Sequence, residues 1–196
     1  MPENISSSIF LTLTFSGLLI LFTIVIAFYL GMIVDSFGGE DYATGKKAIQ
    51  KVAEIIIAKK RQNQLLYDLG SCRGNFVFGI SRACPDLKIV GIDNSYIRTW
   101  AARLRNYIQP RRLQKNQISF LKADLFKTDL SNADLIFIYL PKELLAALEA
   151  KLQQNLKPGA LVITHRVYFP NWQPSQTLLS GQPEIKNGNL YIYEQQ

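Results

Sequence analysis

The stretch Asp68-Leu69-Gly70-Ser71-Cys72-Arg73-Gly74 joins a predicted strand, Leu65–Leu69, to a predicted helix that begins near Gly74. Its two glycines allow the backbone to turn tightly and to approach a ligand closely. A glycine-containing turn between a buried strand and a helix is typical of the ligand-binding edge of α/β domains. This turn is therefore the candidate binding loop of the protein.

Two common phosphate-binding patterns do not fit the binding loop. The dinucleotide fingerprint G-x-G-x-x-G, started at Gly70, requires glycines where the chain has Cys72 and Asn75. The G-K-[ST] ending of a P-loop is also absent from the sequence here. The spacing is instead acid-x-G-x-x-x-G, led by Asp68, and a leading carboxylate favours a cationic or amine-bearing ligand.

Predicted strands and helices alternate along the chain around the binding loop. The predicted strands are Leu65–Leu69, Lys88–Ile92, Ile118–Leu121, Leu135–Leu140, Ala160–Thr164 and Leu190–Tyr193. The predicted helices are Thr44–Lys59, Gly74–Arg82, Ser95–Tyr107 and one that starts at Pro141. The strands are continuous apolar runs, which indicates a sheet covered on both faces. The pattern predicts an α/β fold with a doubly wound, mainly parallel sheet that binds ligands at the carboxyl ends of its strands.

Two further acids follow predicted strands at this ligand-binding edge. Asp93 comes directly after the second strand, and a carboxylate there can accept two hydrogen bonds from a ribose diol. Asp124 follows the third strand, where an acid and nearby backbone groups can contact the edge of an adenine base. Together with the binding loop, these acids predict a site for a nucleoside.

With these residues in place, the sequence resembles the class I S-adenosylmethionine-dependent methyltransferases, whose first motif is acid-x-G-x-G-x-G. The resemblance implies a Rossmann-like fold and S-adenosylmethionine as the cofactor. The cofactor contacts that it implies are Asp68, Gly70, Cys72, Gly74, Asp93 and Asp124. Cys72 departs from the motif, because it replaces the middle glycine and adds a Cβ where the backbone meets the cofactor. Tyr139, near the end of the fourth strand, lies where class I enzymes meet their substrate and is the candidate catalytic residue.

A narrower resemblance covers most of residues 9–175. An apolar N-terminal segment, the tripeptide Tyr42-Ala43-Thr44, the binding loop and the stretch Arg166-Val167-Tyr168-Phe169-Pro170-Asn171-Trp172-Gln173-Pro174 occur in this order. The sequence is in this respect similar to the membrane-anchored lysine methyltransferases that modify the ATP synthase c subunit and the adenine nucleotide translocase. The resemblance implies a lysine of a membrane protein as the methyl acceptor, and it makes Tyr42 a candidate cofactor contact.

The N-terminal segment contains an uncharged apolar run, residues 9–34. A helix of this length reaches ~39 Å, more than the ~30 Å hydrocarbon core of a bilayer. A cleaved signal peptide is disfavoured because the run is too long and the residues before it are not basic, and a buried core helix is the other alternative. The predicted organisation is a tail (1–8), a transmembrane helix (9–34), a linker with an amphipathic helix (35–62) and a methyltransferase domain (63–196).

The charge of the chain is unevenly distributed. The sequence has 22 Lys and Arg against 15 Asp and Glu, for a net charge of +7. Residues 1–34 contain no Lys or Arg and one acid, so all 22 basic residues lie after them against 14 acids, a balance of +8. The positive-inside rule then places the C-terminal domain in the cytoplasm of a single-pass protein. A bacterial inner membrane is the expected location, with a mitochondrial membrane as the alternative.

A run of basic residues follows the second predicted strand. Its members are Arg98, Arg103, Arg105, Arg111, Arg112 and Lys115. The run is interpreted either as a solvated face or as a surface that attracts anionic lipid headgroups. Nucleic acid is not an expected partner, because a membrane tether disfavours DNA and no aromatic-interleaved binding motif is present. The two cysteines, Cys72 and Cys84, lack C-x-x-C spacing, so no metal site is expected.

These features predict an enzyme, an S-adenosylmethionine-dependent methyltransferase held in a membrane that methylates lysine of a membrane-associated protein. Two alternatives stay open. Cys72 favours a non-catalytic, membrane-anchored module that keeps the methyltransferase fold. The second alternative is a methyltransferase that acts on a small molecule.

Overall fold

The structure is a computed structural model that describes residues 3–37, 44–59, 64–108, 118–180 and 188–196. The chain divides into two units, Met1–Glu40 and Asp41–Gln196. The first unit contains one helix, α1 (Glu3–Phe37). The second, here named the α/β unit, contains the remaining helices and all the strands that the described residues form.

Helix α1 contains a 25-residue apolar stretch, Ser7–Gly31, which is long enough to cross a membrane. At ~1.5 Å per residue this stretch measures ~37 Å. Its large apolar side chains are exposed, including those of Leu18, Ile20 and Phe22 near its middle. An exposed apolar helix near the N-terminus fits either a membrane anchor or a signal sequence.

The α/β unit alternates helices and strands along most of its length. Its helices are α2 (Lys46–Ala58), α3 (Asn75–Ala83), α4 (Tyr96–Ile108) and α5 (Lys142–Asn155). Its strands are β1 (Leu65–Leu69), β2 (Lys88–Asp93), β3 (Ile118–Lys122), β4 (Leu135–Ile138), β5 (Leu161–His165), β6 (Gln176–Leu179) and β7 (Asn189–Glu194). They form a seven-stranded sheet in the order β3-β2-β1-β4-β5-β7-β6.

Strand direction divides this sheet into two parts. Strands β1 to β5 are parallel, and β6 and β7 add an antiparallel edge. The strand order reverses between β1 and β4, so the carboxyl ends of these two neighbours flank the crevice where such sheets bind ligands. The α/β fold with a doubly wound, mainly parallel sheet that the sequence predicts is therefore confirmed.

Apolar side chains cover the sheet on both faces. One cluster joins residues of α2, α3 and the strands, and it includes Ile56, Val77 and Phe137. The other joins residues of α5 and the strands, and it includes Leu148 and Val162. Because both faces are buried, the central strands are apolar throughout, as in β4, where each residue is buried.

Three local expectations differ from the structure. Strand β6 (Gln176–Leu179) was not expected, since its mostly exposed residues lack the apolar pattern of a buried strand. The helix predicted from Thr44 begins at Lys46, with Gly45 at its N-cap and no side-chain cap hydrogen bond. Strand β4 ends at Ile138 rather than at Leu140, which leaves Tyr139 in the segment that leads to Pro141 and α5.

Candidate active site

The binding loop folds around three residues with positive φ. These are Gly70 at 84°, Cys72 at 48° and Gly74 at 78°. A Cβ built on Gly70 would lie 2.5 Å from Cδ2 of Leu140, so the position has neither the conformation nor the space for a side chain. The amides of Gly70 and Ser71 both donate to the carbonyl oxygen of Ile92, at 2.8 and 2.9 Å. The end of β1 is thereby tied to the end of β2.

Cys72 occupies the one left-handed position of the loop that lacks a glycine. Side-chain sterics make this conformation cost roughly 1–2 kcal/mol for a residue with a Cβ. Its backbone N–H donates to Oδ2 of Asp93 at 2.9 Å, which holds the peptide in place. Residues 70, 72 and 74 all have positive φ. Glycine suits each of these positions because it adopts this conformation without a steric cost.

A cleft of about 200 Å³ opens beside the binding loop at the carboxyl edge of the sheet. Its lining residues come from the segment before α2, from the loop, from the start of α3 and from the end of β4. They are Thr44, Asp68, Gly70, Ser71, Cys72, Arg73, Asn75, Phe76, Phe137 and Tyr139. The structure thus brings Asp68, Gly70, Cys72 and Tyr139, four of the residues singled out from the sequence, to one cavity.

Asp68 is the buried acid of this cleft, with 3% of its surface exposed. Burial raises the pKa of its carboxyl to about 8, and the nearby charge of Asp93 acts in the same direction. No salt bridge joins Asp68 to a cation among the residues that the structure describes. The carboxyl is therefore mostly protonated at neutral pH, and a cationic group that enters the cleft would favour its ionised form.

Asp93, the last residue of β2, is buried behind the binding loop. Its Oδ2 accepts the N–H of Cys72, and its Oδ1 accepts the N–H of Ser95 at 2.8 Å. The carboxylate therefore organises both the loop and the start of α4. Each carboxylate oxygen keeps a second lone pair that can accept a hydrogen bond from a ligand. The role of Asp93 in binding a ribose stays a prediction.

Three of the candidates from the sequence, Gly74, Asp93 and Asp124, are not among the residues that line the cleft. Oδ1 of Asp124 accepts the N–H of Phe126 at 2.9 Å, and its Oδ2 lies 4.0 Å from Nζ of Lys127. The acid thus caps a turn after β3, and its contact with an adenine stays a prediction. Tyr42 lies outside the described residues.

Arg166 begins the stretch Arg166–Pro174 that carries the narrower resemblance, but the sequence assigned it no role beside Tyr139. It follows β5 with a φ of 69°, and its guanidinium Nη1 donates to the hydroxyl oxygen of Tyr139 at 2.8 Å. The contact crosses from the end of β5 to the end of β4. A sequence signal was available, because the carboxyl ends of neighbouring parallel strands meet at one edge and Arg166 lies two residues after the predicted fifth strand, Ala160–Thr164.

His165 lies behind Tyr139 and does not resemble a general base. Its ring centroid is 4.5 Å from that of Tyr139, only 2% of the residue is exposed, and neither ring nitrogen has a hydrogen-bond partner. Burial lowers the pKa of His165 to about 4, and the charge of Arg166 acts in the same direction. The imidazole is therefore neutral at physiological pH and serves as a packing residue.

Comparisons with known proteins agree with this architecture. The family described as the ANTKMT methyltransferase domain matches residues 68–176. A protein-lysine N-methyltransferase of Saccharolobus islandicus is 27% identical over 158 residues, 76% of this chain and 89% of the relative. The lysine N-methyltransferase of the ATP synthase c subunit from Rattus norvegicus is 26% identical over 132 residues, 67% of this chain and 59% of the rat protein.

A solved structure extends the likeness to the fold. The RNA methyltransferase of Salinibacter ruber, in complex with S-adenosyl-L-homocysteine, superposes with a TM-score of 0.64 and 24% identity, covering 78% of this chain and 93% of that one. At this identity the likeness concerns the arrangement of the sheet and its helices. The family match, in contrast, covers the binding loop, every cleft-lining residue except Thr44, and more than half of the sequence. This protein therefore belongs to the ANTKMT methyltransferase domain family.

Proposed function

We propose that this protein is an S-adenosylmethionine-dependent protein-lysine N-methyltransferase anchored in a membrane. The observation that carries the proposal is the overlap of the family match with the cleft, because residues 68–176 include each cleft-lining residue except Thr44. Two relatives named as lysine methyltransferases, one archaeal and one from rat, support lysine as the acceptor.

The cleft fits a cofactor that carries a positive charge. Asp68 is a buried carboxyl without a cationic partner among the described residues, so it complements an ammonium group. The backbone at Gly70, which lines the cleft, lets a ligand approach the loop, and Asp93 supplies acceptors at the end of β2. When bound, S-adenosylmethionine supplies a sulfonium methyl group for in-line transfer to a nucleophile.

Tyr139 and Arg166 are the residues that orient the acceptor amine. A tyrosine oxygen has two lone pairs, so it can accept the hydrogen bond from Arg166 and an N–H from a substrate at the same time. The guanidinium charge disfavours a protonated lysine beside it, so the site favours the neutral, nucleophilic amine. Alignment of that amine with the methyl group supplies most of the rate, as in other displacement reactions.

An apolar wall excludes water from the reacting groups. The rings of Phe76 and Phe137 stack at a centroid distance of 3.7 Å with an interplanar angle of 8°, and both residues line the cleft. Both are almost fully buried, so they form a fixed surface. A dry wall of this kind strengthens the hydrogen bonds and charges at the cleft.

Helix α1 is proposed as the anchor, with the α/β unit on the cytoplasmic side of the membrane. Its apolar stretch spans 25 residues, and the basic residues of the chain all follow residue 34. The rat relative is named for a component of ATP synthase, which supports a substrate in or beside the same membrane. Tethering enzyme and substrate to one bilayer raises their effective concentration.

Isotope transfer tests the proposal directly. The full chain, purified in detergent and returned to lipid vesicles, is incubated with S-adenosylmethionine that carries a deuterated methyl group and with membrane or soluble protein fractions of the source organism. Mass spectrometry of proteolytic peptides is expected to find the label on lysine ε-amines, mainly in the membrane fraction.

Two variants control this experiment. Asp93→Asn removes a charge at the proposed ribose site and is expected to reduce labelling at least tenfold, about 1.4 kcal/mol of binding. Asp86→Asn changes an exposed acid elsewhere in the α/β unit and is expected to label like the parent protein. Label confined to small molecules, or no label despite bound cofactor, would replace the proposal with one of the two alternative functions.

A further inference from the structure

Helix α4 presents an apolar face to solvent that the proposed reaction does not use. The exposed side chains of this face are Tyr96, Trp100, Leu104, Tyr107 and Ile108. Their spacing of four, four, three and one places them on one side of the helix. The opposite side carries the buried residues Arg98, Thr99 and Ala102, and α4 packs there against β2 and β3. We name the exposed side the α4 face.

The composition of the α4 face is unusual for a surface open to water. Tyr107 is 84% exposed and Ile108 69% exposed, although helices normally turn such residues toward a core. Contiguous exposed apolar side chains mark a contact site for a protein or a membrane. Tyrosine and tryptophan have an apolar body and a polar tip, and they are enriched at the membrane–water interface.

The charge around the α4 face selects a membrane over other apolar partners. Helix α4 contains no acid. Of its three arginines, Arg98 lies on the buried side and Arg105 packs over the ring of Phe78, whereas Arg103 is exposed beside the α4 face. Nζ of Lys122, on the edge strand β3, lies 4.8 Å from the ring centroid of Tyr96 and extends the basic rim. Basic residues beside an anionic bilayer are attracted to its negatively charged headgroups.

The length of the tether keeps such a contact within reach. Eight residues separate Phe37, the last residue of α1, from Lys46, the first residue of α2. A fully extended segment of that length spans ~30 Å. If α1 is anchored, the α/β unit stays beside the bilayer, and a weak surface contact is favoured by a high effective concentration of lipid.

We propose that the α4 face is a second membrane-binding surface, which inserts its apolar side chains among the headgroups of an anionic bilayer. The proposal rests on the membrane anchoring proposed above and is independent of the identity of the methyl acceptor. Insertion would hold the α/β unit in a defined orientation at the membrane surface.

Tryptophan fluorescence of the full chain in lipid nanodiscs tests this contact. The chain has two tryptophans, Trp100 on the α4 face and Trp172, which packs against Phe169 and Tyr193. Nanodiscs of phosphatidylcholine with phosphatidylglycerol are prepared with and without brominated acyl chains, which quench only nearby indoles. Quenching of about half of the emission or more is expected, since an interfacial ring lies ~5–10 Å into the headgroup boundary.

Substitutions assign this quenching to the α4 face. Trp100→Phe is expected to abolish it, whereas Trp172→Phe is expected to retain it. The double variant Leu104→Glu, Tyr107→Glu is expected to weaken it at least severalfold by placing two acids on the face. Tyr168→Glu, at an exposed tyrosine outside α4, is the matched control and is expected to quench like the parent. Tyr96 is left unchanged because it lies three residues after Asp93, a proposed cofactor contact.

Separate measurements distinguish this inference from the proposals on which it rests. Incorporation into nanodiscs reports the anchor, and calorimetry with S-adenosylmethionine reports the cofactor site. Equal quenching of the parent and Trp100→Phe in incorporated, cofactor-binding protein would overturn the inference alone. A dimer in detergent, measured by light scattering and dissociated by the glutamate pair, would assign the face to a second copy of the chain and would also overturn it.

Discussion

At the scale of single residues, the ionisation of Asp68 should determine how well the cleft binds a cationic ligand. Its carboxyl lies in an apolar setting beside the acid Asp93, and the pKa is raised to about 8. A ligand ammonium binds the ionised carboxylate better than the neutral acid. If the ammonium group of S-adenosylmethionine pairs with Asp68, as proposed, binding releases a proton from this carboxyl at neutral pH.

The affinity for S-adenosylmethionine is accordingly expected to rise with pH. Below its pKa the ionised fraction of Asp68 grows about tenfold per pH unit, so the affinity should rise by up to that factor per unit between about pH 5.5 and 7. Calorimetry in buffers with different ionisation enthalpies measures both the affinity and the released proton. Asp68→Asn should bind more weakly with little pH dependence, and a pH-independent parent protein would contradict this assignment.

Cys72 has a strained backbone conformation and lines the same cleft. Its φ of 48° is the conformation that glycine adopts without a steric cost, and its N–H is held by the carboxylate of Asp93. The strained residue lines the cleft, so relief of the strain should act on the geometry of the loop that meets the cofactor.

Cys72→Gly is expected to strengthen cofactor binding and to raise the free energy of unfolding by roughly 1 kcal/mol. Removal of the Cβ from the backbone that faces the cofactor is expected to raise the affinity by up to about fivefold, which corresponds to ~1 kcal/mol. Cys72→Ala keeps the Cβ and is the control, which should bind like the parent. Calorimetry and urea denaturation measure the two effects. A gain of several hundredfold would instead indicate a decayed site and favour the non-catalytic module, and equal behaviour of both variants would contradict the strain argument.

At the scale of elements, burial separates what the sequence predicts well from what it predicts poorly. Strands β1, β2, β4 and β5 have neighbours on both sides and helices over the sheet, so their apolar runs stand out in the sequence. Strand β6 pairs only with β7, and most of its residues are exposed. Its hydrogen bonds are decided by a partner distant in sequence, and no apolar pattern marks it.

The ends of helices and strands are also predicted less well than their buried middles, because contacts with other segments decide them. The sequence predicts Thr44 at the start of the first helix of the α/β unit because threonine is a good N-cap. The helix begins at Lys46 instead, and Thr44 is a buried residue that lines the cleft. The hydrogen bond from Arg166 to Tyr139 also depends on tertiary structure, because β4 and β5 must approach each other at their carboxyl ends.

At the scale of the whole molecule, charge and hydropathy differ between two parts of the chain. One is an exposed apolar helix, and the other is a basic α/β unit with its own core. If α1 crosses a membrane, a charge in its middle costs about 2.5–3.5 kcal/mol. Membrane integration can thus be weakened without a change in the α/β unit.

Leu19→Arg together with Ile24→Arg is expected to release the full chain from membranes. Alkaline carbonate extraction followed by immunoblotting measures the released fraction, and calorimetry should find an unchanged affinity for S-adenosylmethionine. Leu19→Phe with Ile24→Leu keeps the segment apolar and should remain in the membrane pellet. Retention of the arginine variant in the pellet would contradict the role of α1 as the anchor, and a shortened mature chain would identify α1 as a cleaved signal.

The sequence by itself determined the features that depend on local composition and spacing. These are the membrane-length helix, the parallel core strands and the strand–turn–helix unit at Asp68–Gly74, because burial and backbone conformation select residue types directly. Only the tertiary structure decided that Thr44, Phe76 and Phe137 complete the cleft, how far Asp68 is desolvated, and that α4 exposes an apolar face. These depend on the approach of segments distant in the chain, for which a single sequence carries no local signal.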